Sequence, residues 1–165
     1  MTLCDPEAAS LYRHAAVHLA REGHVVVTLP VRGACQLAAE AALVVGGSVE
    51  LMQPYEAYEE EWVTRIRQEH GKRVTVEAFD AELHQEWTNA DHLIHPGHKH
   101  LGGPDDAHHA TICGAVERGD AAIILPHGEE AGYEAVRAIR IARALDKPLL
   151  VLSKKEDREQ LEAML

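Results

Sequence analysis

Val25-Val26-Val27-Thr28-Leu29, followed by Pro30-Val31-Arg32-Gly33 and the Ala-rich run from Ala34 to Val45, is the stretch on which the fold turns. A continuous β-branched run without polar alternation reads as a strand buried on both faces. The alanines after it read as a helix that Gly46-Gly47 ends, and Val49-Glu50-Leu51-Met52 reads as the next strand. Strand, helix and strand in that order make a βαβ unit, which requires a parallel pair and a right-handed crossover.

The same alternation continues on both sides. Upstream, Asp5 is a helix N-cap, Pro6 the first helical position and Gly23 the stop, with Leu11, Ala15 and Leu19 on one face. Downstream, Tyr55 to His70 reads as an acidic helix with Trp62 and Ile66 four apart. Residues 71–79 are ambiguous: Val74, Val76 and Phe79 alternate like a strand or extend a helix. Asp80 to Ala90 reads as a helix with Leu83 and Trp87 inward, and His92-Leu93-Ile94-His95 as a short strand before a turn-rich stretch to Pro104. Asp105 or Asp106 caps a helix to about Arg118, and Ala121 to Leu125 is a strong strand. A loop, a helix to Leu145, the strand Leu149 to Leu152 and an amphipathic helix from Lys154 to Leu165 complete the pattern. With no linker or repeat, residues 1–165 read as a single domain. The expected fold class is α/β, a doubly wound, mainly parallel Rossmann-like sheet with helices on both faces.

Composition narrows the function classes. With 46% hydrophobic and 26% charged residues, the chain is ordinary for a globular α/β protein. It has no apolar run of membrane-spanning length, and residues 1–6 lack the basic and apolar regions of a secretory signal. Three cysteines, an odd number without CxxC spacing, suit a reducing interior, so the expected location is cytoplasmic. A net charge of −11 disfavours nucleic acid as a partner. No P-loop, GxGxxG or GxSxG motif is present.

Ligands of doubly wound sheets sit beyond the carboxyl ends of the strands, which singles out the loops at 30–35, 95–106 and 126–133. The first offers Arg32, a fork suited to phosphate or carboxylate, with Gly33 and Ala34 letting a ligand approach the backbone at a helix start. The second offers His95 and Gly97. The third offers His127, Gly128, Glu129, Gly132 and Tyr133. Glu129 and Glu130 can accept hydrogen bonds from a ribose, or simply complement the positive end of the following helix. These loops are expected to converge on one pocket for a small nucleotide-like ligand.

Three stretches carry a family resemblance. Residues 27–43, Val27-Thr28-Leu29-Pro30-Val31-Arg32-Gly33-Ala34-Cys35 followed by Gln36 and the run LAAEAAL, resemble the strand–GGARGAD–helix segment of the SLOG superfamily. Gln53-Pro54-Tyr55-Glu56 with Trp62 is similar to that superfamily's P-[FY]…W stretch, and residues 138–148 (AIRIARALDKP) to its AIRLA…LGKP ending. SLOG is the Rossmann-like group that holds the DprA-like and LOG-like proteins and the YpsA/YspA-like nucleotide-binding candidates. The resemblance implies nucleotide binding by a sensor or carrier, and a homodimer paired through helical faces. It also offers, as an alternative, a LOG-like nucleotide N-glycosidic or phosphoribosyl hydrolase using Glu129, Glu130 or Glu134. The chain departs from the pattern at several points. The family's opening strand has no counterpart, since residues 5–23 read as a helix. Cys35 replaces the Asp of GAD, and no residue fills the GGxGTxxE motif at its proper spacing.

A third reading comes from His92, His95, His98, His100, His108 and His109 with Cys113, which together offer good ligands for zinc, nickel or copper. Their spacing matches no standard zinc pattern, and histidines in a loop also serve as polar surface or ligand contacts. No metal ligand is assigned from the sequence, and no cofactor is identified.

Overall fold

The computed structural model describes residues 5–53, 58, 60–78, 104–126 and 133–165. The elements in chain order are α1 (Pro6–Arg21), β1 (Val25–Thr28), α2 (Ala34–Val44), β2 (Ser48–Gln53), α3 (Glu61–His70), a 3₁₀ turn at Gly71–Arg73 and β3 (Val74–Ala78). They are followed by α4 (Pro104–Arg118), β4 (Ala122–Ile124), α5 (Tyr133–Ala144), β5 (Leu149–Val151) and α6 (Lys155–Met164). The fold is α/β, with every strand pair parallel and helices on both faces, as the sequence implied. The expected helix over residues 80–90 and strand over 92–95 lie outside the described residues.

Local chemistry sets the helix ends. Asp5 accepts a hydrogen bond from the Glu7 amide at 3.0 Å and lies 2.7 Å from the Arg158 guanidinium of α6. The amide bond first, with help from Arg158, holds the Asp5 carboxyl below its ordinary range. Gly23 at φ 87° lets the chain leave α1 in a conformation that side chains disfavour. Lys147 donates to the carbonyls of Glu117 and Gly119, at 2.9 and 2.7 Å, where α4 runs out of internal donors. One expectation is corrected at α3: Tyr58 and Glu60 are not helical, and the helix starts at Glu61 rather than Tyr55. The Glu60 carbonyl accepts the Thr64 amide, which marks the first turn.

The strands sort their side chains by parity. On β2, Val49 and Leu51 pack with Ala39, Ala42 and Leu43 of α2 and Trp62, Val63 and Ile66 of α3. Met52 turns to the other face, against Ile112 and Cys113 of α4 and Ala138 and Ile141 of α5. Glu50 shares that second face, and Arg118 of α4 ties it to Glu77 of β3 at 2.8 and 3.0 Å. Within the ambiguous stretch 71–79, residues 74–78 are a strand whose Val74 and Val76 join the α2–α3 core, while Gly71–Arg73 form a 3₁₀ turn and Phe79 lies outside the described residues. Beyond β1, Leu125, Leu152 and Leu161 pack with Ala8 and Ala15 of α1.

Lateral pairing departs from a continuous sheet. Hydrogen bonds join β1-β2-β3 into one ladder and β4-β5 into another, and among the described residues no strand pairs β1 with β4. The two ladders share packing at their carboxyl ends. Leu29 sits in one cluster with Ile124, and Ala34 in another with Ile123 and Leu125. The expectation that the 25–29 run is buried on both faces is therefore corrected. Val25 is 52% exposed, and Val26 and Val27 are only half-buried.

Candidate functional site between β1 and β4

A cavity of about 410 Å³ occupies the space between the two ladders. That size falls within the range of small-molecule sites. One lateral wall is β1 and the residues after it, from Val25 to Leu29 and on to Val31 and Arg32. The other is β4 with its flanks, Asp120 to Leu125. Tyr12 and Leu19 of α1 close one face, and Ile112, Ala115 and Val116 of α4 with Ala135 and Ala138 of α5 close the other. The lining is mostly apolar, with a few polar groups at the ends.

The carboxyl end carries the chemistry. Gly33 N-caps α2 with φ 94° and ψ −128°, a backbone state open in practice only to glycine. Gly33 offers no side chain to cap the helix, so α2 starts at the mouth without a side-chain cap on its positive end. Ala34 and Cys35 of that first turn line the cavity, and Arg32 stands exposed at its rim. Tyr12 faces the same space. Burial, then the neighbouring Cys35, pushes its phenol well above the ordinary tyrosine range, so it stays a neutral hydroxyl.

Of the three expected loops, only 30–35 is described throughout, and it reaches this cavity through Val31, Arg32, Ala34 and Cys35. Of 126–133 only Pro126 and Tyr133 are described, and of 95–106 only residues 104–106. Gly33 sits at the mouth as the α2 cap, and Tyr133 is the first residue of α5, whose Ala135 and Ala138 line the cavity. His95, Gly97, His127, Gly128, Glu129 and Gly132 lie outside the described residues. Sequence reasoning missed Tyr12, Thr28, Cys35 and Asp120 as lining residues. Tyr12 follows Leu11 on a helix, and Thr28 hides in a valine run, so neither carries a local signal. Cys35 was visible only as a departure from the family motif.

The histidine-rich stretch falls mostly outside the described residues. Among the described residues, no group of three or more His, Cys, Asp or Glu side chains could hold a metal ion. Cys113 points into the apolar core with Met52 and Ile141. No described helix is long and apolar enough to cross a membrane. No protein-family model, no curated protein and no solved structure matches this chain.

Proposed function

We propose that this chain binds a nucleotide or nucleotide-derived small ligand, as a sensor or carrier of the kind its SLOG-like motifs suggest. The observation that carries this reading is the cavity between β1 and β4, rimmed at its carboxyl end by Arg32 and the glycine-capped start of α2. A phosphate there would meet a guanidinium fork and the positive end of a helix, while the apolar walls would take a base or sugar face. Tyr12, kept protonated, would offer a hydroxyl donor without adding negative charge. The alternative of N-glycosidic hydrolysis needs a glutamate from residues 129–134, and incubation with nucleoside monophosphates separates turnover from binding.

The direct test is calorimetry with nucleoside monophosphates. Arg32→Ala should weaken binding by about 1.5–3 kcal/mol, the usual worth of a charge-assisted hydrogen bond. Unchanged affinity in a folded variant would remove this mouth from the site.

A further inference from the structure

We propose that the first turn of α6 is a guard on the outer edge of β5, and that its release lets two copies of this chain pair β5 to β5 as antiparallel strands. The inference is independent of the nucleotide reading. It starts from an apolar run, Pro148-Leu149-Leu150-Val151-Leu152, followed closely by the charged stretch from Lys154 to Glu159. A short apolar strand with an open edge is a template for pairing with another chain, so what occupies that edge decides whether copies associate.

Strand parity assigns the two edges of β5. The Ala122 amide donates to the Pro148 carbonyl, and the Leu152 amide donates to the Ile124 carbonyl, both at 2.9 Å. Residues 148 and 152 therefore face β4, and alternation turns the backbone groups of Leu149 and Val151 the other way. Both backbone groups of Val151 are taken there by the start of α6. Its amide donates to the Asp157 carboxylate at 2.8 Å, and its carbonyl accepts the Lys154 amide at 2.9 Å. An acidic side chain in a first helical turn ordinarily serves its own helix, through the N-cap amide or the dipole. Asp157 reaches back to the strand instead, and Lys154, the N-cap residue, makes no side-chain cap bond. Arg158 secures the same turn: its guanidinium donates to the Leu152 carbonyl at 2.6 Å and pairs with Asp5 of the α1 N-cap at 2.7 Å. Farther along α6, the buried Leu161 packs with Leu152 and Ala8.

A second copy is the occupant that this edge fits. Around a two-fold axis two β5 strands run antiparallel, and an axis through Leu150 sets Leu149 of each copy opposite Val151 of the other. Those residues carry the outward amides and carbonyls, so each pair exchanges both backbone bonds, and the side chains brought together are apolar. With the guard in place the exchange gains nothing. Each copy gives up the Asp157 and Lys154 bonds of Val151, and the two copies together make only as many as they lose. Association also costs translational and rotational freedom, so the edge stays closed. Removing the Asp157 carboxylate leaves the amide of the buried Val151 without that acceptor, and pairing with a second copy restores one.

The test is Asp157→Ala in the whole chain. Sedimentation should give the variant about twice the mass of the unaltered chain at high micromolar concentration, and the same mass when dilute. Hydrogen exchange at the Val151 amide should be at least about tenfold faster than in the unaltered chain when dilute, and slow again, together with Leu149, on concentration. Asp157→Asn keeps an acceptor oxygen and should behave as the unaltered chain does. Adding Leu149→Pro to Asp157→Ala removes an outward donor, and should restore the unaltered mass while Val151 still exchanges fast. If Asp157→Ala does not fold, Asp157→Ser, whose hydroxyl sits on a shorter arm, is read by the same two measurements. Four results would overturn the proposal: the unaltered mass at every concentration, association that survives Leu149→Pro, equal association of the Asn variant, or protection of Val151 without a gain in mass.

Discussion

β2 and β4 are short apolar strands that both lie between two helical layers, yet only one of them is sealed. Val49 and Leu51 of β2 are 1% and 0% exposed, whereas all of β4 is only half-buried. The difference is lateral. β2 has β1 and β3 as hydrogen-bonded neighbours, while β4 has β5 alone among the described strands. Helices above and below close the faces of a parallel sheet, but only another strand closes its edge. A cavity bounded by two edges and two apolar layers follows directly from that difference.

Truncation should break the comparison first, and with the largest effect. Leu51→Ala empties a site enclosed on all sides and should cost about 3–5 kcal/mol in denaturant unfolding. Ile123→Ala removes as many carbons from a half-buried strand facing an existing space, and should cost about 1–2 kcal/mol. Equal losses would mean that the β4 edge is as tightly enclosed as β2. An effect smaller than that of Leu51→Ala is expected at Gly47, where α2 leads into β2. A Cβ there would come within 2.6 Å of the Ala20 Cβ and 2.8 Å of the Ala42 carbonyl oxygen. Both neighbours are short and rigid, so Gly47→Ala should destabilise by about 1–3 kcal/mol, checked by the same unfolding midpoint.

Much of the closed half was legible because its signals are local. Asp5-Pro6 and Gly23 bound α1 through capping chemistry, and the valine run from 25 declares β1 by its branching. The parallel pairing followed from the helix between two strands, with no long-range information needed. Arg32, Gly33 and Ala34 were legible at the mouth for the same reason, as a turn between a strand and a helix. What was hidden depends on partners far apart in sequence. The valines of β1 look identical whether a strand or a cavity lies beside them, since periodicity reports faces and not edges. Tyr12 lines the site only because α1 crosses both ladders, and Asp120 only because α4 ends beside the mouth's opposite end.

The smallest effect at neutral pH belongs to Tyr12, and it tests how dry the space between the ladders is. Burial disfavours the phenolate in the folded chain, so the folded pKa lies above the ordinary value of about 10 that the unfolded chain retains. Below that value both states hold the proton, and the tyrosine gives no pH dependence. As pH rises past about 10 the unfolded state releases the proton and the folded state keeps it. Stability therefore falls there by up to about 1.4 kcal/mol per pH unit, until the folded pKa is reached. Tyr12→Phe should leave the unfolding free energy near its neutral-pH value and remove that slope, because the other tyrosines contribute equally to both proteins. The measurement is a pair of denaturant series from pH 8 to 11, with phenolate absorbance followed in the folded chain. Parallel curves for the two proteins would show that water reaches the phenol freely, and would make the wall it forms a solvated one.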